Sequence, residues 1–516
     1  MQTRRTFLGG LAGAASGLLI RSGRGMVARP TDRKPNLLFL IADDHAGYVL
    51  RAEGNQRAQT PILDRLASEG TRFAANYCNA PVCTPSRQSI LTGQLPHSAG
   101  VTVLSTPLDE NKPTLAKNLD ASGYATAVFG KMHFNRPGSP GMHGFQTACT
   151  EDVAETRWLH DVGPEQVPEG IRTKPRWRPF HDPARIWLNA DKLPFPRFEA
   201  GMKNTWTAQH ACQFMTEHRN DPFALWVSFQ TPHSPFDFPI EDRNRFDPQS
   251  FTVPEVGPED PPQIPLIFRS LSAADKQGII AADYTSVAFL DRSVGTVLAR
   301  LNELGLDRDT LVIYMADHGY SLGQHGRFEK HCCYDPALRV PLMMRWPGRI
   351  ARGVVTDFTE SVDVGPTLLD LLGAERFEIN HGQSLRAYVE GKRVEKPREE
   401  IFSEYLENEE ACVRTREWKF IHCSGRRART DGYITDNPTP GRYVRLYDLS
   451  TDPGEFHNVA DQHPAVVQKL SSDMLAVFRA THPEAHQEPE KLAQADAIDW
   501  YLRPRDAKPS PGPSSK

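Results

Sequence analysis

What this sequence has little of narrows its function first. A basic excess is missing: 60 Lys and Arg stand against 64 Asp and Glu, a formal charge of -4, whereas nucleic-acid binders normally carry a clear positive excess. Nucleic acid is therefore not an expected partner. Cysteine is sparse, eight in 516 residues, which is too few for a disulfide scaffold, and no pair has zinc-ribbon spacing. Adjacent Cys332 and Cys333 read as packing thiols rather than a redox pair. Long apolar runs are also lacking. The stretch from Leu8 to Ile20 is short and rich in Gly and Ala, so stable insertion into a bilayer is not expected. No internal repeat is visible.

What is present begins with an address. Thr3-Arg4-Arg5-Thr6-Phe7-Leu8 precedes that mild apolar run, and Arg21 and Arg24 follow it. The pattern resembles a twin-arginine export signal occupying residues 1–28, which implies a periplasmic or secreted protein.

From Asn36 onward, apolar strand-like runs alternate with amphipathic helix-like ones, the signature of an α/β fold with a large, mostly parallel sheet sandwiched by helices. The expected strands are Asn36 to Ala42, Tyr124 to Phe129, Phe223 to Phe229 and Thr310 to Ala316. Helices are signalled by Thr60-Pro61 with a stop at Gly70, by Thr114 with a stop at Gly123, and by the apolar side running from Ala281 to Leu304, where Asp291 reads as structural. After Gly373 the character changes. Strands at Ile401 to Leu406, Trp418 to Cys423 and Tyr443 to Asp448, then a helix from Ala465 to Phe478, suggest a smaller α+β unit with an antiparallel sheet. The boundaries expected are 34–375 for the main domain, 376–500 for the smaller one and 501–516 for a disordered tail.

Each of the four main strands ends in ionisable groups: Asp43 and Asp44, Lys131 and His133, His233, and Asp317 and His318. Ligands of open α/β sheets bind outside the carboxyl ends of the strands, so these groups can converge from far apart in the chain. Taken singly, each is an ordinary loop residue. Together, Asp43, Asp44 and Asp317 offer hard oxygen ligands for Ca²⁺ or Mg²⁺, with one nitrogen from His318. Arg87, Lys131 and Lys330 supply the cations that an oxyanion needs. A nucleophile is still required. Cys83 stands just before Pro85 and Arg87, where a helix begins and orphan N–H groups attract anions.

Cys83-Thr84-Pro85-Ser86-Arg87 with Leu91-Thr92-Gly93 resembles the Cys-x-Pro-x-Arg signature of the formylglycine-dependent sulfatases of the alkaline phosphatase superfamily. The likeness continues in order through Asp43-Asp44, Gly130-Lys131-x-His133, Pro232-His233-x-Pro235, Asp317-His318-Gly319, Lys330 with Arg339-Val340-Pro341, and Leu446-Tyr447-Asp448-Leu449, covering roughly residues 34–480. The resemblance implies that Cys83 is oxidised to formylglycine by a maturating enzyme and that its hydrated aldehyde is the nucleophile. It implies further that Asp43, Asp44, Asp317 and His318 hold one divalent ion with residue 83, most simply Ca²⁺, with Mg²⁺ or Mn²⁺ as alternatives. In the same reading Arg87 and Lys131 neutralise charge, His233 and Lys330 bind sulfate and assist departure of the alcohol, and His133 takes a proton from the second hydroxyl.

Histidine at position 318 is similar to the branch with iduronate and choline sulfatases and phosphonate monoester hydrolases. A phosphonate or phosphodiester hydrolase therefore stands as an alternative, as does a catalytically silent binder of sulfated glycans. Residues 148–202 fit no core strand pattern. Trp158, Trp177 and Trp187 lie there among Arg176, Arg178, Arg185, His160 and His181. Arg178 and His181 are candidate substrate contacts to a sulfated, glycosaminoglycan-like saccharide, through ring stacking and paired contacts to acid groups. The alternative is a surface loop packed by its own tryptophans.

Overall fold

Asn36 to Asp43 is apolar on both faces, so the strand it forms must be covered on both sides. In the computed structural model, strand β1 (Asn36–Asp43) is buried along its whole length at the centre of an eight-stranded sheet. The structure describes residues 33–135, 142–165, 167–179, 181–425 and 442–506, so the export-signal reading lies outside the described residues. The other strands of this sheet are β2 (Thr71–Phe73), β3 (Ala125–Gly130), β4 (Thr147–Cys149), β5 (Phe223–Pro232), β6 (Thr310–Ala316), β7 (Leu342–Arg345) and β8 (Gly353–Val355), in the order β4-β3-β5-β1-β6-β7-β2-β8. From β4 to β6 all neighbours are parallel; β7 runs antiparallel to both of its own. Leu38 lies level with Leu225 on one side and Val312 on the other.

Alternate residues of β1 feed two different cores. Leu37, Phe39 and Ile41 join α2 (Cys83–Thr92), α3 (Leu115–Ala121) and α7 (Val364–Leu372). Leu38 and Leu40 join α1 (Pro61–Glu69), α5 (Lys203–Glu217) and α6 (Ala273–Glu303). Helix α4 (Glu151–Val162) arises inside the stretch that showed no core pattern.

Two expectations about helix starts change. Thr60 does not cap α1 through its side chain; the Asp291 carboxylate accepts the N–H groups of Ile62 (3.1 Å) and Leu63 (2.8 Å) from across the core. Such a cap is worth about 1 kcal/mol, and it gives Asp291 its structural role. Helix α6 begins eight residues before the expected Ala281, behind a capping box made by Ser272 and Asp275. Its first turns are largely polar, so hydrophobic periodicity did not register them.

A four-stranded antiparallel sheet, β9 (Ile401–Tyr405), β10 (Glu410–Arg414), β11 (Trp418–Cys423) and β12 (Tyr443–Asp448), follows in meander order. It packs on α8 (Pro464–Thr481) and α9 (Gln494–Tyr501). Strand β10 and helix α9 had not been expected. The disordered tail does not begin at 501: Tyr501 and Leu502 are fully buried, and the Asp506 carboxylate accepts the N–H groups of Thr102 (2.6 Å) and Val103 (3.0 Å). Residues 507–516 lie outside the described residues. No described helix is long and apolar enough to cross a membrane.

Candidate active site

Strands β3, β5, β1 and β6 are parallel neighbours, so their carboxyl ends open at one edge of the sheet. Asp43 closes β1, and Asp44 follows in the left-handed region (φ 65°). Asp317 and His318 follow β6, Lys131 and His133 follow β3, and His233 follows β5. Gly130 has φ 101°, and a Cβ there would collide with the Ser228 carbonyl, so glycine is required for the chain to turn away beside β5. Helix α2 begins at the same edge with Cys83, which is 1% exposed.

The Cys83 Sγ atom sits 3.2 Å from His318 Nε2, 3.3 Å from Lys330 Nζ, 3.4 Å from Asp43 Oδ1 and 3.7 Å from Lys131 Nζ. Burial alone would push its thiol pKa up, but Lys131, Lys330 and His318 outweigh this and hold it well below the usual range. Lys131 is paired with Asp43, and Lys330 Nζ donates to Asp44 Oδ1 at 2.7 Å. Arg87 is held behind them, with Nε donating to Asp317 Oδ2 (2.8 Å) and Nη1 to Ser228 Oγ (2.8 Å) and the Lys131 carbonyl (2.6 Å). Burial would raise Asp43 as well; Lys131, His233 and Arg87 instead keep it well below the usual carboxylate range.

Asp43, Asp44, Cys83 and His318 each present one donor atom, all within 4.8 Å of one another and all buried. This set fits a metal ion. Asp44 Oδ2 has no hydrogen-bond donor. His318 gives its Nδ1 proton to the Gly319 carbonyl (3.0 Å), turning the Nε2 lone pair inward, the arrangement usual for a ligating imidazole. Burial lowers the His318 pKa, but Asp317 and Cys83 push it up to about 9, so the surroundings favour positive charge there, from a proton or from a metal. Asp317, expected in the same ligand set, is not one of the four. Its carboxylate is engaged by Arg87 Nε and by the N–H groups of His318 (2.9 Å) and Asp44 (3.3 Å), and burial pushes its pKa up to about 6.

The loop with Lys131 and His133 is held by groups the sequence had not pointed out. Glu151 Oε1, at the start of α4, accepts the N–H groups of Met132 (2.6 Å) and His133. Gln88 Nε2 donates to the carbonyls of Met132 (3.2 Å) and His133 (3.1 Å). The Thr84 hydroxyl donates to the Leu104 carbonyl (2.7 Å), so toward His133 Nδ1 (3.2 Å) it accepts. That leaves His133 Nε2 without a proton. Burial, and then Lys131, lower the His133 pKa, which keeps the ring neutral and able to take a proton. Glu151 and Gln88 carried no signal in one sequence, because each acts through backbone atoms of a distant loop.

His233 forms the rim. Its Nε2 lies 3.9 Å from Asp44 Oδ2, its Nδ1 bonds to the Ser234 carbonyl (2.6 Å), and its ring also lines a cavity of about 680 Å³. Residues 158–177 of the expected insertion build much of the cavity wall, with Trp158, Lys174, Arg176 and Trp177 among the lining side chains. Arg178 and His181 are not among them. Both are exposed, and Arg178 N–H is tied to Asp182 (2.8 Å). Trp187 is buried in the core around α6 instead. In an irregular segment, neighbouring side chains point in unrelated directions, and sequence spacing could not choose between Arg176 and Arg178.

Compared with known proteins, the chain matches the family model described as Sulfatase over residues 35–374, and that described as N-sulphoglucosamine sulphohydrolase, C-terminal, over residues 323–480. It is 28% identical to the choline-sulfatase of Rhizobium meliloti (strain 1021) over 495 residues, 92% of this chain and 91% of that protein. It is 25% identical to the N-acetylglucosamine-6-O-sulfatase of Bacteroides thetaiotaomicron over 512 residues, 88% and 87% of the two. Among solved structures, the phosphonate monoester hydrolase of Agrobacterium radiobacter superposes with a TM-score of 0.73 at 24% identity, over 89% of this chain and 99% of that one. At that identity the likeness concerns the fold.

Proposed function

The chain belongs to the sulfatase family and is a sulfuric ester hydrolase; from that premise we propose that it cleaves a sulfate ester on a carbohydrate, with residue 83, converted from cysteine to formylglycine, as the nucleophile. The observation that carries this reading is the placement of Cys83. It stands at a helix N-terminus, touched by two lysines, a histidine and a carboxylate, beside a cavity that shares His233 with the cluster. A buried thiol with only a packing role would not be surrounded this way.

Converted to formylglycine, residue 83 supplies a hydrated aldehyde, and a divalent cation, for which Ca²⁺ suits the oxygen-rich donors best, supplies a Lewis acid for the sulfate. Asp43, Asp44 and His318 would hold that cation, and Asp317 braces Arg87. Lys131 and Lys330 counter the sulfate oxygens, a preorganised cationic pair of the kind that stabilises developing charge. His133, neutral and with Nε2 free, accepts the proton released at residue 83. His233, facing the cavity, stands where the departing alcohol takes up a proton. A formylglycine-generating enzyme is then an obligatory partner; with residues 1–28 read as a twin-arginine signal, maturation would precede export to the periplasm or beyond.

The test is mass spectrometry of the peptide containing residue 83 from the native host, combined with metal analysis of the purified protein and kinetics on defined sulfated saccharides. Formylglycine, about one bound divalent ion per chain and turnover of a sulfated sugar are expected. An unmodified thiol points to a silent glycan binder, and a kinetic preference for a phosphonate monoester over every sulfate ester overturns the reaction class.

A further inference from the structure

The cavity beside His233 carries its own chemical message. Its basic side chains face acidic ones. Lys174 is ion-paired with Asp237, and its side chain is only 7% exposed. Lys203 Nζ donates to Glu155 at 2.5 Å. Arg176 and Glu165 add one group of each sign, so the lining carries three lysine or arginine and three carboxylate side chains besides His233, two of each joined in ion pairs. Trp158, Trp177 and Phe195 supply apolar faces between them, and the Lys174 ammonium lies 5.1 Å from the centre of the Phe195 ring.

A wall built this way is ill suited to a polyanion. A second sulfate or a carboxylate entering it would lose water and meet the Asp237 and Glu155 carboxylates, while the lysines that could bind it are already paired. Sugar hydroxyls fit better. Each both donates and accepts, and a paired ammonium and carboxylate offers one partner of each kind at adjacent positions. The aromatic faces suit the apolar side of a pyranose ring, and the volume falls in the range of pockets that enclose small ligands.

Resting on the sulfatase reading above, we infer that this cavity binds a saccharide unit with no acidic group besides the sulfate being cleaved, and that the Lys174–Asp237 pair excludes a second acidic group. This narrows the glycosaminoglycan-like substrate class to monosulfated, otherwise neutral sugars.

The test compares kcat/KM of the matured full-length enzyme on a monosulfated oligosaccharide and on the same oligosaccharide bearing one further sulfate, for the native protein and for Asp237→Asn. The native enzyme is expected to favour the monosulfated compound by about tenfold or more, the scale of one unfavourable charge contact, and Asp237→Asn to erode that preference by raising turnover of the disulfated one. Lys174→Met, which leaves Asp237 unpaired, is expected to strengthen the preference. Equal or better native turnover of the disulfated compound, or an unchanged ratio in folded Asp237→Asn, overturns the charge filter while leaving the sulfatase reading intact. Failure on every sulfate ester would instead refute the reading on which the inference rests.

Discussion

Two buried ionic clusters in this protein are made of similar residues and do different things. In the cluster around Cys83, Asp43, Asp44 and Asp317 face Lys131, Lys330 and Arg87. Under the C-terminal sheet, Asp335 accepts from Lys419 Nζ (3.0 Å), Arg414 Nε (3.2 Å) and the Tyr77 hydroxyl (3.2 Å), while Glu455 takes Lys419 Nζ (2.6 Å) and the Asp335 N–H (2.8 Å). In both, burial works against the charges and close partners outweigh it at some groups but not all: Asp335 is held well below the carboxylate range, mainly by Lys419 and Arg414, and Lys419 is pushed far above its own, while burial raises Asp317 and Glu455. The difference is closure. The second cluster ties β11 and the loop at Asp335 together, whereas the first contains a nucleophile candidate and reaches a cavity through His233. Similar buried charges serve packing where they only join two elements, and are poised for chemistry where they border a nucleophile candidate and a cavity.

That contrast can be broken from either side. The largest effect belongs to Cys83→Ala, which should lower kcat by at least about 10⁴-fold, the scale of losing a nucleophile, while the thermal midpoint measured by calorimetry barely moves; retained turnover would remove residue 83 from the chemistry. Next is Lys419→Met. Leaving Asp335 and Glu455 without their shared cation should cost about 3–5 kcal/mol in denaturant unfolding, yet kcat per folded molecule should stay the same. If kcat falls instead, the two clusters are coupled and the distinction fails.

A smaller effect is expected at Glu151, which touches neither sulfate nor metal and acts by fixing the loop with Lys131 and His133. Glu151→Ala should reduce kcat about tenfold with little change in KM, and Glu151→Gln, which keeps an acceptor oxygen, should recover most of it. The smallest concerns pH, at two histidines outside the Cys83 cluster. Burial, helped by the neighbouring His97, lowers His381 to about 4 and His482 to about 3, and both rings accept backbone N–H groups, of Leu95 and Glu484. Because the unfolded chain binds these protons near pH 6.5 and the folded chain does not, stability should be constant above that pH and fall as pH drops from about 6.5 toward 4. His482→Gln should flatten this slope in thermal unfolding curves; a slope left unchanged would show that the loss arises elsewhere.

Much of this architecture was legible along the chain. Strand β1 announced itself as an uninterrupted apolar run because both of its faces are covered, and β6, β11 and β12 begin and end where composition changes. Strands β2, β4, β7 and β8 were missed because each is only three or four residues long, and β10, Glu410-Ala-Cys-Val-Arg414, hides its pattern by burying Glu410. Helix α9 was missed because its buried Asp499, paired with His422 (2.8 Å), reads as a surface residue.

The sequence by itself determined the chemistry available at the carboxyl ends of four strands and the order in which it arrives, because a parallel sheet forces those ends to one edge whatever the loops do. Only the tertiary structure decided how close each carboxylate comes to Cys83 and which one braces Arg87, which backbone groups Glu151 and Gln88 hold, and that Lys174 and Arg176, not Arg178 and His181, face the cavity. Those outcomes depend on where side chains point across hundreds of residues, and local periodicity carries no information about direction once the chain leaves a regular element.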